Sequence, residues 1–210
     1  MIKVFITDDH ALVRRGLKDI LAETPEIVVV GEAGTSDETI QQLPHADWDV
    51  LILDLSLPGR SGLDVLRLVR QVRPTLPVLI LSMHAEEQFA VRLLRAGANG
   101  FLNKESAPDE LVRAIQTVHR GDIYLSPTLQ ARLQTPAPKT EPPPPHETLT
   151  DREFEVLCRL AAGETTADMA RHMAIQPRTV ERYRARLLRK MGMRSVADLV
   201  AYARQARLRP

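Results

Sequence analysis

Through about residue 120, short aliphatic runs alternate with stretches in which apolar residues recur every three or four positions. The runs are three to seven residues long and apolar on both alternating faces, the pattern of strands buried on both sides. They fall at Lys3–Thr7, Ile27–Ala33, Val50–Asp54, Val78–Leu81 and Gly100–Leu102. Helix-period segments between and after them cover 11–23, 37–43, 62–73, 86–96 and 107–119. Ser36, Ser61 and Ser106 are placed as N-caps, the latter two with Asp64 and Asp109 three residues on. Strands alternating with helices predict an α/β domain, a doubly wound five-stranded parallel sheet with helices on both faces.

The pattern changes after residue 125. From Ser126 to Glu147 periodicity is lost, and six of the fifteen prolines fall in the run Pro136 to Pro145. Such a stretch favours extended polyproline II, builds no core and reads as a semi-rigid linker. Beyond it come four helix starts. Thr150 with Glu153 has the spacing of a capping box, with Leu149 and Phe154 placed as its hydrophobic staple. Thr165 with Asp168 and Ser195 with Asp198 repeat the spacing, and Pro177 suits a first helical position after a short turn at Ala174–Gln176. The expected organisation is residues 1–125, a linker over 126–147, and an all-α four-helix domain over 148–210.

Charge sharpens this division. The net charge of +1 hides −5 over residues 1–125 and +6 over 148–210. An acidic front and a basic back predict that only the back meets nucleic acid. Other classes drop out. No apolar run approaches the roughly 20 residues that span a bilayer, so no membrane partner is expected. Met1 to Ile6 begins directly as a strand, with no signal-peptide pattern. The single cysteine, Cys158, excludes an internal disulfide framework, fits a cytoplasmic protein, and reads as a small core residue.

Chemistry gathers at the strand ends. In an open parallel sheet, ligands bind beyond the carboxyl ends of the strands where strand order reverses. Asp8 and Asp9 lie at that end of the first strand and Asp54 at that end of the third. Ser82 closes the fourth strand and Lys104 follows the fifth. Three adjoining carboxylates repel one another, so a cation is their natural partner, and oxygen-only ligands favour Mg²⁺.

The segments ITDDH, LILDLSLPGRSG, VLILSMH and GFLNK resemble the signature of the two-component receiver domain over about residues 1–120. That resemblance implies a flavodoxin-like receiver with Asp54 as phospho-acceptor, supplied by a sensor histidine kinase. Asp8, Asp9, Asp54 and the backbone carbonyl of Ser56 would hold Mg²⁺. Lys104 and the hydroxyl of Ser82 would bind the phosphoryl group, and Phe101 matches the aromatic switch position. The sequence departs from many receivers in placing Glu105, not proline, after Lys104, which leaves that loop's geometry open. His10 and His84 stand beside the crevice residues and are candidates to tune the phosphate's lifetime.

The basic charge concentrates on one helix. At ~100° per residue, Val180, Tyr183, Leu187 and Met191 share one face of the segment 177–191. Arg178, Arg182, Arg186 and Arg189 fall on the opposite face, with Glu181 the one acidic neighbour. Arginine suits phosphates and guanine edges. Residues 149–203 resemble the LuxR-type helix-turn-helix, with 165–172 as its first helix and 177–191 as its recognition helix. Thr179 and Val180 match the motif, whereas Glu181 stands where lysine is common and Tyr183 where histidine is.

Receiver plus this output implies a response regulator of the NarL/FixJ type, with Arg178, Thr179, Glu181, Arg182, Arg186 and Arg189 as DNA-contact candidates. Its implied partners are the kinase, double-stranded promoter DNA, RNA polymerase and, when phosphorylated, a second copy of itself. Two other classes share parts of the pattern. One is a Mg²⁺-dependent phosphatase or phosphotransferase with Asp54 as nucleophile. The other is an interaction module whose helix-turn-helix has lost DNA. With a single acceptor and no second general acid, the expected enzymatic chemistry is limited to slow self-phosphorylation and dephosphorylation at Asp54.

Overall fold

Apolar runs long enough to cross a sheet, and no longer, become its strands. In the computed structural model these are β1 (Ile2–Thr7), β2 (Ile27–Ala33), β3 (Val50–Asp54), β4 (Val78–Ser82) and β5 (Gly100–Asn103). They pair in parallel in the order β2-β1-β3-β4-β5. Each lies within one residue of its expected bounds. The structure describes residues 1–55, 57, 60, 62–82, 92–104, 106, 108–126, 130, 144–173, 175–206 and 208. The chain divides into two compact units, 1–132 and 133–210.

In the first unit, helices α1 (Ala11–Ala22), α2 (Ser36–Gln42), α3 (Gly62–Val72) and α4 (Pro108–His119) accompany the strands. The expected helix over 86–96 falls mostly outside the described residues, of which 92–95 are helical. Every residue of β3 and β4 is buried, as strands covered on both faces require. Leu51 and Leu53 point into one core with Val65, Leu66 and Val69 of α3, where Trp48 stacks on Phe5 at 4.0 Å between ring centroids. Val50 and Ile52 point into the other, with Leu17 and Leu21 of α1 and Leu111, Ile115 and Val118 of α4.

One cap differs from expectation. Thr35, not Ser36, caps α2, its hydroxyl accepting from the Glu38 N–H at 3.2 Å. Ser36 is the first helical residue, buried, with its Oγ accepting from the Arg60 N–H. The adjacent hydroxyls compete for one position, and the one required by the core is drawn inward. Pro44 follows within a 3-10 turn, Leu43–His45, so the helix ends at Gln42. Likewise α4 begins at Pro108, two residues past Ser106, so Ser106 is not the residue that immediately precedes the helix. Ser61 lies outside the described residues.

The second unit holds α5 (Asp151–Ala161), α6 (Thr166–His172), α7 (Pro177–Met191) and α8 (Val196–Gln205). Thr150, Thr165 and Ser195 each form a two-way capping box, so all three expected spacings are used in full. Pro177 opens α7, and Gly192 closes it in the left-handed conformation at φ +64°, where a side chain would be strained. Phe154, Leu157, Cys158, Met169, Val180, Leu187 and Leu199 are buried, which makes Cys158 a core residue. The second unit reaches back past its first helix. A 3-10 turn, Pro145–Thr148, places buried His146 with its Nδ1 2.7 Å from the Tyr202 hydroxyl of α8. Among the described residues no helix is long and apolar enough to cross a membrane.

Among the described residues, one ion pair joins two of the second unit's helices. Glu153 of α5 is 3% exposed, caps its own helix by accepting from the Thr150 N–H, and takes Lys190 Nζ of α7 at 2.6 Å. Burial works to raise its carboxyl, but Lys190 and the Thr150 cap outweigh burial and hold it below its ordinary 4.5. A lowered carboxyl contributes stability above its unfolded value and loses it as pH falls through the folded one. The helical unit should therefore hold constant stability near neutrality and lose it below about pH 4.5. Lys190→Met should destabilise it by about 1–2 kcal/mol at pH 7 and flatten that acid limb. Far-UV circular dichroism melts from pH 3 to 7 read the change, while Trp48 fluorescence reports the first unit separately. An unchanged acid limb in the variant would refute the assignment.

Candidate functional site: an acidic crevice and a basic helix

β1 and β3 are neighbours with Thr7 opposite Leu53, so the residues that follow, Asp8 and Asp54, stand side by side where strand order reverses. Both are only 1% exposed. Two buried carboxylates at this distance need a cation, and the chain supplies one from two strands away. Strands lie about 4.8 Å apart, so β5 is roughly 10 Å from β3, and only a long side chain reaches across β4. Lys104 does so. Its backbone N–H donates to the Ser82 carbonyl at 2.9 Å, and its Nζ donates to Asp54 Oδ2 at 2.8 Å. The same Nζ lies 2.6 Å from Asp8 Oδ2.

The lysine side chain is 5% exposed. Burial works to lower its pKa, but the hydrogen bond and charge of Asp54, then of Asp8, outweigh burial and hold it above 10.5. The ammonium is therefore charged at neutral pH, and the stability it contributes is lost only in more alkaline solution.

Asp9 lies on the rim, with one oxygen 2.7 Å from His10 Nδ1. One ligand atom from each of Asp8, Asp9, His10 and Asp54 lies within 4.8 Å of the others. Asp8 Oδ2 is buried against the Lys104 ammonium at 2.6 Å. Three carboxylates with one ammonium to offset them fit a bound cation. Ser82 ends β4, buried beside this group, opposite Asn103 of β5. Phe101 is buried in the core that contains Leu53 and Ile80. Ser56, His84 and Glu105 lie outside the described residues.

Two supporting residues escaped the sequence reading. Arg14 of α1 donates from Nη1 to the Asp8 carbonyl at 2.6 Å, holding the turn after β1. Gly62 opens α3 so close to β3 that a Cβ there would lie 2.4 Å from the Asp54 carbonyl oxygen. Only glycine fits, and a glycine at the first turn of a predicted helix was the available signal. A cavity of about 620 Å³ opens on α4 near Arg113, Arg120 and Tyr124, and none of Asp8, Asp9, Asp54 or Lys104 lines it.

On α7, Arg178, Arg182, Arg186 and Arg189 are exposed while Val180, Leu187 and Met191 are buried and Tyr183 is half-buried. None of the four arginines makes an ion pair among the described residues. Glu181 does. Its Oε1 takes Arg184 Nη1 at 2.7 Å and the Thr166 hydroxyl at 2.7 Å, while Arg184 also donates to Thr166 at 2.8 Å. The acidic residue nearest the arginine face is thus bound to Arg184 and to α6. The i,i+3 spacing of Glu181 and Arg184 was legible, but the Thr166 contact needed the fold.

Residues 4–116 match the response regulator receiver domain and residues 147–203 the bacterial regulatory proteins of the luxR family. The chain is a two-component response regulator of the NarL/FixJ type. It is 31% identical over 206 residues to the response regulator UvrY of Escherichia coli K12, covering 97% of this chain and 94% of that protein. It is 37% identical over 207 residues to the transcriptional activator DevR/DosR of Mycobacterium tuberculosis, again covering 97% and 94%. RcsB of Salmonella enterica serovar Typhimurium, solved on the rprA promoter with the phosphomimetic BeF₃⁻, aligns at 25% identity and TM-score 0.70, over 96% of this chain and 98% of RcsB. The regulator's receiver carries the acidic crevice, and its LuxR-type unit carries the basic helix.

The receiver's ion pairs predict a cation-dependent stability. Lys104→Met leaves Asp8 and Asp54 buried without their ammonium, which should destabilise the receiver by about 3 kcal/mol in chelator. Millimolar Mg²⁺ should restore much of that loss by binding the folded form. Urea unfolding followed by Trp48 fluorescence, with and without metal, measures both. A variant as stable as the wild type in chelator would contradict the electrostatic account.

Proposed function

We propose that this regulator is switched by phosphorylation at Asp54 and acts by binding promoter DNA through α7. The observation that carries the reading is the pairing of buried Asp54 with the Lys104 ammonium at the end of β3. A carboxylate oxygen of Asp54 attacks the phosphorus of a phosphohistidine on a sensor kinase. The P–N bond breaks, its electron pair leaves with the kinase imidazole, and that imidazole takes up a proton. Asp8, Asp9, Asp54 and the Ser56 carbonyl are the residues to hold Mg²⁺, which when bound offsets charge on the transferred oxygens. Lys104 meets one of those oxygens, Ser82 offers its hydroxyl to another, and Phe101 follows through the core.

The division of labour is residues 1–125 for the receiver, 126–147 for the linker, whose end docks on the output unit through His146, and 148–210 for the output domain. Arg178, Thr179, Arg182, Arg186 and Arg189 form the DNA-facing set, with Glu181 at its edge, held by Arg184 and Thr166. A single recognition helix reads few base pairs, so the regulator binds paired half-sites as a phosphorylated homodimer. RNA polymerase is the downstream partner, and the site of action is the cytoplasm. Catalysis is confined to gain and slow loss of the phosphoryl group at Asp54.

Acetyl phosphate with Mg²⁺ should add one phosphoryl group to the wild type, by intact-mass analysis, and none to Asp54→Asn. Equal labelling of the variant would remove Asp54 from its role.

For DNA, Arg182→Ala is the primary substitution, with Arg178→Ala and Arg186→Ala beside it. A lost phosphate contact should lower the salt slope of operator binding by about one, while a lost base contact should cost roughly 1–3 kcal/mol and relax specificity. If all three bind like the wild type across the salt titration, α7 does not read DNA.

A further inference from the structure

Resting on α7 as the DNA-reading helix, we propose that Glu181 reads a base. Its outer carboxylate oxygen accepts a hydrogen bond from the N4 amino group of a cytosine in the major groove. Arg184 and Thr166 are the residues that position it.

A carboxylate on a helix that meets phosphates needs a reason to be there. Glu181 stands in the second turn of α7, and the N-terminal residues of such a helix are the ones that reach base edges. At ~100° per residue it lies about 60° around the helix from exposed Arg178, so the two share one end of the reading face. Its side chain is 54% exposed, yet it is not loose. Oε1 accepts from the Thr166 hydroxyl at 2.7 Å and from Arg184 Nη1 at 2.7 Å, and the same Nη1 donates to Thr166 Oγ1 at 2.8 Å. These bonds close a triangle across α6 and α7. A lone exposed ion pair is worth little, but a closed triangle around a guanidinium only 24% exposed leaves the carboxylate few rotamers.

All of that restraint falls on one oxygen. Among the described residues Oε2 takes no hydrogen bond, and an ionised carboxylate accepts at both oxygens. Arg184 thus offsets the charge that phosphates would repel, while a held acceptor remains on the exposed surface. Held in advance, it loses little freedom when DNA docks. In the major groove only cytosine N4 and adenine N6 offer donors, and adenine sets the N7 acceptor beside its amino group. A carboxylate has no donor for N7 and is repelled by it, so cytosine is favoured. The exposed arginines of α7 are donors only and match acceptors. Glu181 supplies the other half of the code.

Full-length protein treated with acetyl phosphate and Mg²⁺, offered a random-sequence duplex library, tests this. The wild type should select half-sites with cytosine fixed at one position, preferred at least about fivefold over each other base. Glu181→Gln keeps an oxygen for Arg184 and Thr166 but turns the outer acceptor into a donor. It should lose that cytosine and keep the rest of the half-site. Arg184→Met, which releases the carboxylate, should weaken the same preference and no other; an intact preference there removes the positioning role. A Glu181→Gln variant that selects the wild-type half-site overturns the proposal, even if it binds every duplex more tightly, since Glu181 then only lowers the attraction for phosphate. A wild type that selects no sequence overturns the proposal together with the reading of α7. The glutamine is isosteric, so its result stands whatever Arg184→Met does to the fold.

Discussion

Two carboxylates and one ammonium share the dry end of the receiver's sheet, and the rest of the receiver is arranged to make that tolerable. Asp8 and Asp54 come from adjacent strands, Lys104 from two strands away, and all three are nearly out of reach of water. Removing charges from water costs several kcal/mol each, recovered only where geometry is tight. The tightness comes from neighbours that take no part in chemistry. Arg14 holds the Asp8 backbone, Gly62 lets α3 approach the Asp54 carbonyl, and the Lys104 N–H is anchored on the Ser82 carbonyl. Apolar strands buried on both faces then fix where each polar end emerges.

The output unit handles charge in the opposite way. Glu153, the one deeply buried acid among its described residues, is consumed by a helix cap and by Lys190, which ties α5 to α7. Glu181, the acid nearest the reading face, is consumed by Arg184 and Thr166, which ties α7 to α6. The Glu153–Lys190 ion pair and the Thr166 hydrogen bonds hold the recognition helix in its domain, and both acids are kept from pairing with Arg178, Arg182, Arg186 and Arg189. Exposed arginines without internal partners keep their full attraction for phosphate.

Much of this was readable in the chain because it depends on run lengths and spacing. The five strands end where their apolar runs end, which puts Asp54, Ser82 and Lys104 on one rim. The three capping boxes follow from fixed offsets, and the arginine stripe follows from helical periodicity. What escaped depends on contacts distant in sequence. Thr35 displaces Ser36 as a cap because Ser36 is drawn inward towards Arg60, 24 residues on. Glu153 meets Lys190 across 37 residues. His146, in a stretch that reads as linker, is buried against the fourth helix because a proline-rich segment carries no periodicity to announce a docked residue. Gly62 is one glycine among ten until its distance from Asp54 is known.

The same electrostatics sets the scale of the proposed switch. A phosphoryl group at Asp54 replaces one negative charge by about two in a site already holding Asp8 and Asp9. At ~4 Å and an effective dielectric of about 20, each added unit charge changes the local energy by about 4 kcal/mol. Moving a two-state element from 1:99 to 99:1 takes about 5.5 kcal/mol, so the charge change alone is of the right size. The ammonium that such a switch would meet first is Lys104, which pairs with Asp54 at 2.8 Å. Its backbone is bonded to β4 and follows directly on β5. Phe101 of β5 in turn donates its N–H to the Tyr124 carbonyl, in the segment that leaves the receiver after α4. Backbone hydrogen bonds therefore run from Lys104 to β4 and from β5 to Tyr124, which joins the crevice to the segment that follows α4.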